Sequence, residues 1–150
     1  MKRGLICVLM LCLGFVGRAQ QLPAEQTASG ARLHLHETTY NFGDVPRRGE
    51  DLVHEFRFTN VGTTPLVLMR VVTSCSCLKA HFSKRPVAPN EEGTIRIVYE
   101  PKKSEAGVFN KVIQIYSNDP TGREVITVQG NSLEEHKIKI KNEKVKVKGN

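Results

Sequence analysis

From residue 32 onward, apolar and polar side chains alternate with a period of two residues, and turn residues interrupt the alternation at regular intervals. Alternation of this kind puts apolar side chains on one face of a strand, so it predicts short, half-buried β-strands. Seven segments fit the pattern: 32–36, 39–42, 51–59, 66–73, 94–100, 109–117 and 125–128. No segment of ten or more residues has a helical period. We therefore expect an all-β fold without the crossover helices that parallel sheets use.

Some core positions follow directly from the alternation. Ile95, Ile97 and Tyr99 share one strand face and should point inward, whereas His54 shares a face with two phenylalanines and should be part-buried. About seven strands within roughly 100 residues is the size of an immunoglobulin-like sandwich. The sequence predicts that residues 32–132 form an immunoglobulin-like antiparallel β-sandwich of about seven strands.

Residues 1–19 have the features of a signal peptide. Lys2 and Arg3 precede an uncharged apolar stretch, which is shorter than the roughly 20 residues that a membrane-spanning helix needs. Small residues at the −3 and −1 positions predict cleavage between Ala19 and Gln20. We expect export to the periplasm or the extracellular space, without a transmembrane anchor.

Two segments flank the predicted domain. Residues 20–31 are small and polar, which is typical of a flexible linker. Residues 133–150 form a tail in which lysines alternate with isoleucine or valine. We interpret this tail as solvated or as an extra edge strand whose lysines discourage aggregation. The alternative is an arm that makes weak contact with an anionic surface.

Charge and motifs exclude several functions. Removal of residues 1–19 takes away Lys2, Arg3 and Arg18, which lowers the formal net charge from +7 to +4. This modest excess in an exported chain does not indicate nucleic-acid binding. The sequence contains no Gly-rich phosphate loop, no Gly-x-Ser-x-Gly and no His-Glu-x-x-His. We therefore expect neither catalytic residues nor a cofactor.

Cys75 and Cys77 are the two cysteines that remain after the predicted cleavage. On an extended strand their Cα atoms would lie about 6.6 Å apart, near the upper limit for a disulfide, so a bridge requires a local bend. Three interpretations remain open. The pair forms a disulfide or a semi-buried dithiol with a structural role, it exchanges with other thiols, or it binds copper(I) or zinc together with His81.

Several motifs are similar to those of known families. The motifs are FGDV at 42–45 with Gly49, FRFTNVG at 56–62, SCSC at 74–77, PNEEG at 89–93, GVF at 107–109 and SNDP at 117–120. The first two resemble ASH (hydin-like) and major-sperm-protein-like domains, and SCSC resembles the Ser-Cys-Gly-Cys motif of an uncharacterised bacterial exported family. The resemblance covers roughly residues 33–131 and implies an immunoglobulin-like sandwich, but no reaction. Ser76 and Asn90 replace glycines of the pattern, and Asn90 tolerates a positive φ.

These observations favour an exported cell-envelope binding or scaffold module without catalytic activity. We expect its partner to be another cell-envelope protein, bound at an exposed sheet edge or loop. The alternative is a thiol-redox or soft-metal (copper or zinc) handling protein that uses Cys75 and Cys77. The state of the two thiols distinguishes these hypotheses.

Overall fold

The computed structural model describes residues 29–134, which form two four-stranded β-sheets. The predicted signal peptide, most of the linker and nearly all of the tail lie outside the described residues. The strands are β1 (Leu33–Leu35), β2 (Thr39–Pro46), β3 (Leu52–Asn60), β4 (Leu68–Thr73), β5 (Leu78–Phe82), β6 (Glu92–Tyr99), β7 (Gly107–Ser117) and β8 (Arg123–Leu133), with one 3₁₀ turn at Pro101–Lys103. The prediction of an immunoglobulin-like β-sandwich is confirmed.

The first sheet has the strand order β1-β3-β6-β5, and the second has the order β2-β8-β7-β4. All neighbouring strands are antiparallel except β2 and β8, which run in parallel with Thr39 opposite Thr127. This pair departs from a purely antiparallel arrangement because the chain changes sheets between β1 and β2. It then continues in the same direction beside β8.

Residues 29–134 contain eight strands, one more than the sequence predicts, because β5 follows the cysteines in a passage interpreted as loop. Several strand ends also differ from the predicted segments, and three of them bear on the site. β2 continues past Gly43 through a register shift, β8 continues past Gly130 to Leu133, and β4 begins at Leu68 rather than at residue 66. Leu66 instead forms an isolated antiparallel bridge with Val87.

The core lies between the two sheets, and its centre is aromatic. Ile95, Ile97 and Tyr99 are fully buried, as predicted. Tyr99 stacks on Phe109 with 4.4 Å between ring centroids. The His54 side chain is 18% exposed, which confirms its expected partial burial. Burial of such side chains from both sheets is the main source of stability in a sandwich of this size.

A fully buried amide, Asn60, ties three segments together at one end of the sandwich. Its Oδ1 accepts hydrogen bonds from the N–H groups of Arg32 (3.3 Å) and Gly62 (3.0 Å). Its Nδ2 donates to the carbonyl oxygens of Thr64 and Val87, both at 2.9 Å. The side chain therefore pairs with three backbone groups that the strands leave unpaired, and it shares the Val87 carbonyl with the Leu66 N–H.

Asp119 connects the same end of the sandwich to β1. Its Oδ2 accepts a hydrogen bond from the backbone N–H of Leu33 at 2.7 Å, and its Oδ1 accepts from the N–H and the hydroxyl of Thr121. Burial opposes ionisation of Asp119, but these hydrogen bonds and Arg32 hold the pKa of the carboxyl below its usual value. In a nearby turn, Asn90 adopts a φ of 64°, which is the positive φ that the sequence analysis expected asparagine to tolerate there.

Candidate functional site

Cys75 and Cys77 form a disulfide at the corner where the chain passes from β4 to β5. Their Cα atoms are 5.2 Å apart, shorter than on an extended strand, so the expected local bend is present. The N–H of Leu78 donates to the Cys75 carbonyl (3.3 Å), and the N–H of Glu100 donates to the Cys77 carbonyl (2.9 Å). These bonds attach the corner to β5 and to the end of β6.

The two cysteines differ in accessibility. Cys77 is only 2% exposed and belongs to the core, whereas Cys75 is partly exposed. Both contribute to a shallow cavity of about 280 Å³ that Lys103 and Lys111 also line. A reagent entering this cavity meets the disulfide beside these two lysines and the carboxylate of Glu105, and Lys103 is also paired with Glu100.

His81 is not part of this corner. It lies exposed on β5, opposite Arg96 on β6. Among residues 29–134, no group of three histidine, cysteine or acidic side chains is arranged to hold a metal ion. The structure thus joins the two predicted cysteines to each other but does not bring His81 to them.

Beside the corner, Glu100 bridges two lysines. Its carboxylate accepts from Lys79 Nζ and Lys103 Nζ, both at 2.7 Å, and its side chain is 10% exposed. The hydrogen bonds from Lys103 and Lys79 lower the pKa of Glu100 despite its desolvation. The hydrogen bond to Glu100 likewise raises the pKa of Lys79. This cluster holds the 3₁₀ turn against β5.

Within residues 29–134, the strand β4 is an edge of the second sheet and pairs only with β7. Its backbone carries a register shift between Leu68 and Arg70, which leaves Met69 54% exposed. After the shift, the strand pairs regularly from Arg70 to Thr73. The unpaired side of this stretch offers backbone donors and acceptors to another strand. We call this unpaired side of residues 70–73 the β4 edge.

Apolar side chains lie beside the β4 edge on the outer face of the second sheet. Val72, Val112 and Val125 are each 39% exposed, and they occupy the neighbouring strands β4, β7 and β8. Val72 and Val125 both lie opposite Gln114 in the strand register. We call these three residues the valine strip. Arg70 covers one end of this surface, with its guanidinium 4.3 Å from the ring centroid of Tyr116.

Two of the other edge strands, β1 and β2, have features that hinder pairing with another strand. β1 has only three residues, and the Asp119 carboxylate accepts the Leu33 N–H. β2 is broken by its register shift, where the Gly43 N–H donates to Asn41 Oδ1 at 2.8 Å. Short length, bulges and side-chain contacts are the usual means by which proteins prevent pairing at sheet edges.

The fourth edge, β5, is protected by charge. Lys79 and His81 are exposed on this five-residue strand, and a charged side chain such as that of Lys79 discourages strand addition. The valine strip was not identified from the sequence because its three members lie on separate segments. Each valine lies between two residues that are more buried than it is, and that local alternation is the available signal.

Among residues 29–134, the structure contains no helix long and apolar enough to span a membrane. The predicted cleavage site and the lysine-rich residues from 135 onward lie outside the described part of the chain.

Solved structures with a similar fold include a protein of unknown function from Porphyromonas gingivalis W83, at 26% identity and a TM-score of 0.61. The match covers 74% of this chain and 51% of the other, so the chain spans about half the length of that protein. A human ASH/PapD-like domain, CEP192 PapD-like domain 7, matches at 11% identity and a TM-score of 0.55, covering 68% of this chain and 85% of that domain.

The periplasmic chaperone SfaE has a similar fold at 11% identity and a TM-score of 0.52, with coverage of 67% and 57%. At these identities the two latter likenesses show the fold alone. No curated protein matches the sequence significantly. The model of one sequence family, however, matches residues 33–132, which include all eight strands except the last residue of β8. The chain therefore belongs to the family described as a protein of unknown function, DUF1573.

Proposed function

We propose that this chain is an exported, non-catalytic binding module that captures an extended segment of another cell-envelope protein along the β4 edge. The observation that carries the proposal is the contrast among the four edge strands. β1 has only three residues, β2 is interrupted in its middle by a register shift, and β5 carries the charge of Lys79. β4 also has a register shift and carries Arg70, but its shift lies at the start of the strand. Four consecutively paired residues follow it, and their other side has no strand partner among residues 29–134. Strand addition at such an edge supplies affinity through main-chain hydrogen bonds.

The side chains around the edge define the partner segment. A strand added beside β4 would have Arg70 and Val72 as cross-strand neighbours on the outer face, where apolar pairs contribute roughly 0.2–1 kcal/mol each. On the inner face, Val71 and Thr73 are half-buried and point toward the core side. A bound segment should therefore alternate, with apolar side chains on both faces and an acidic residue opposite Arg70.

Export is supported by the signal-peptide pattern of residues 1–19 and by the disulfide, because disulfides persist in oxidising compartments. A likeness of fold to a periplasmic chaperone is compatible with this location. Cell fractionation tests it directly. The full chain should reach the envelope or the medium, and a chain that lacks residues 1–19 should stay in the cytoplasm.

Peptide display on immobilised residues 20–150, followed by calorimetry, tests the binding mode. Selected peptides should have alternating apolar positions, and Val72→Lys should weaken binding about fivefold, which corresponds to the loss of one apolar pair worth about 1 kcal/mol. Val53→Lys is the matched control, because Val53 is similarly exposed (43%) but lies on β3 in the other sheet. Undiminished binding by Val72→Lys, or an equal loss with Val53→Lys, would refute a site at the β4 edge.

A second function is favoured by the exposure of Cys75 next to Lys103 and Lys111. In thiol exchange, an external thiolate would attack Cys75 Sγ and form a mixed disulfide, while Cys77 would leave as a thiolate. A second thiolate would then resolve the mixed disulfide and leave a reduced pair able to bind copper(I) or zinc.

Native mass spectrometry of the exported protein, purified without reductant, distinguishes the two functions. A metal-free mass lower by two hydrogens favours the binding module, and free thiols that carry copper or zinc favour metal handling. The double variant Cys75→Ser, Cys77→Ser provides the second measurement. It should fold and keep its peptide affinity, and a selective loss of cellular function in that variant would favour the redox alternative.

A further inference from the structure

A second surface of the described domain has the features of a binding site. It is a groove of about 570 Å³ on the outer face of the second sheet, where β2, β8 and β7 lie side by side. Two rows of side chains cross these strands, since Asn41 lies opposite Gln129 and Gln129 opposite Asn110. The second row consists of Asp44, Asn131 and Val108.

Irregularities in the backbone of β2 and β8 accompany the groove. β2 changes register between Asn41 and Asp44, and Gly43 within the shift has a φ of 71°. Next to it, Gly130 has no side chain, and a Cβ there would lie 2.8 Å from both the Gly43 carbonyl oxygen and Phe109 Cζ. The side of Gly130 that lacks a Cβ faces the buried ring of Phe109, and this allows β2 and β8 to approach closely beneath the groove.

Hydrogen bonds within the groove fix the orientation of two amides. Asn131 Nδ2 donates to Asp44 Oδ1 at 3.0 Å, and Asn41 Oδ1 accepts from the Gly43 N–H. By contrast, the side-chain amides of Asn110 and Gln129 make no hydrogen bond to any residue between 29 and 134, although Gln129 is half-buried. Rigid strands thus present carboxamide donors and acceptors toward the same space.

The chemistry of the lining residues selects the ligand. A carboxamide both donates and accepts, as a sugar hydroxyl does, and the carboxylate of Asp44 accepts further hydroxyl hydrogens. Among residues 29–134, no cationic side chain lines the groove, which disfavours an anionic ligand. Of its two apolar lining residues, Val108 is exposed and the Phe109 ring is buried in the core. Val108, 87% exposed, can contact the C–H face of a sugar ring. Three strands span about 10 Å, which suits a short oligosaccharide.

We propose that this groove binds a neutral oligosaccharide. The proposed site is separate from the β4 edge, so either function can hold without the other. The test is a ¹⁵N–¹H NMR titration of folded residues 20–150 with maltotriose, cellotriose and N,N′,N″-triacetylchitotriose. A heparin-derived hexasaccharide and an extended hexapeptide serve as the acidic and peptidic comparisons. With a Kd near the millimolar range, the neutral sugars should shift amides of β2, β7 and β8 around the groove.

Two variants locate the binding. Gln129→Ala should weaken binding of the neutral sugar at least about tenfold. Gln114→Ala should leave it unchanged, because Gln114 is the same residue type on the same sheet face but does not line the groove. The proposal is overturned if no neutral sugar shifts the groove amides, if only the acidic sugar or the peptide does so, or if Gln129→Ala binds as wild type.

Discussion

Replacement of Asn60 by alanine should destabilise the protein severely, because it removes hydrogen bonds that no neighbouring group can replace. The side chain is fully buried and pairs with two N–H groups and two carbonyl oxygens from 30–32, 60–64 and 87–91. Alanine would leave the N–H groups of Arg32 and Gly62 and the carbonyl of Thr64 without their partner, whereas the Val87 carbonyl would keep only the Leu66 N–H as a donor. An unpaired buried polar group costs more than the net stabilisation of the bond that it once made.

The magnitude follows from the count of bonds. With about 1 kcal/mol lost for each of four hydrogen bonds, the free energy of unfolding should fall by about 4 kcal/mol. A domain of this size has roughly 5–15 kcal/mol in total, so the variant should retain only a fraction of its stability. The same loss corresponds to a decrease in Tm of roughly 15–30 °C.

Urea unfolding followed by circular dichroism measures this loss. For an m-value of about 1–3 kcal/mol/M, the midpoint should move down by about 1.3–4 M. Asn110→Ala is the control, because Asn110 is exposed on β7 and its side chain makes no hydrogen bond within the described residues; its effect should stay within about 0.5 kcal/mol. If Asn60→Ala lost less than about 1 kcal/mol, the buried amide would not hold these segments together and the reasoning would fail.

Three further changes test other parts of the fold. The pKa of Asp119 lies below its ordinary value, so the stability that its carboxylate contributes is complete above the ordinary pKa and is lost as the pH falls through the lowered one. The Tm of Asp119→Asn should therefore fall less steeply with acidification than the Tm of the wild type, as measured by thermal unfolding. Gly62→Ala should prevent folding, because its Cβ would overlap the backbone of residues 30–32. Gly43→Ala has open space around its Cβ and should lower the free energy of unfolding by only about 1–3 kcal/mol, because of its positive φ. Circular dichroism distinguishes an unfolded variant from a destabilised one. Reduction of Cys75–Cys77, whose loop contains one intervening residue, should lower the unfolding free energy by only about 1–2 kcal/mol, measured with and without phosphine reductant.

The strands that could be predicted are those in which alternation coincides with burial on one face. In β6, Ile95 and Ile97 are buried while Arg96 between them is exposed, so the local pattern suffices. β5 was missed although Leu78 to Phe82 alternates, because the flanking turns and prolines dominated the interpretation of that passage. The extension of β8 past Gly130 could not be predicted, since the ring of Phe109 on β7 lies against that glycine.

The candidate sites were less predictable than the strands because each joins residues distant in sequence. The cysteine pair was found since its members are two residues apart. In contrast, Asn41 and Gln129 become neighbours only through the parallel pairing of β2 with β8, which depends on a change of sheet. Local alternation identifies which side chains face outward but contains no information about which outward side chains meet.

The parallel pairing of β2 and β8 determines how the domain would respond to tension. Residue 30 lies at one end of the sandwich, near Pro120, and Leu133 lies at the other, where its carbonyl accepts the Arg47 N–H. A force that separates these two positions would pull β2 and β8 in opposite directions along their lengths. Their ladder, from Thr39 to Pro46, would then be loaded in shear, with all its hydrogen bonds sharing the load. The same bonds would break one after another if the strands were peeled apart, so this topology favours mechanical resistance along the long axis.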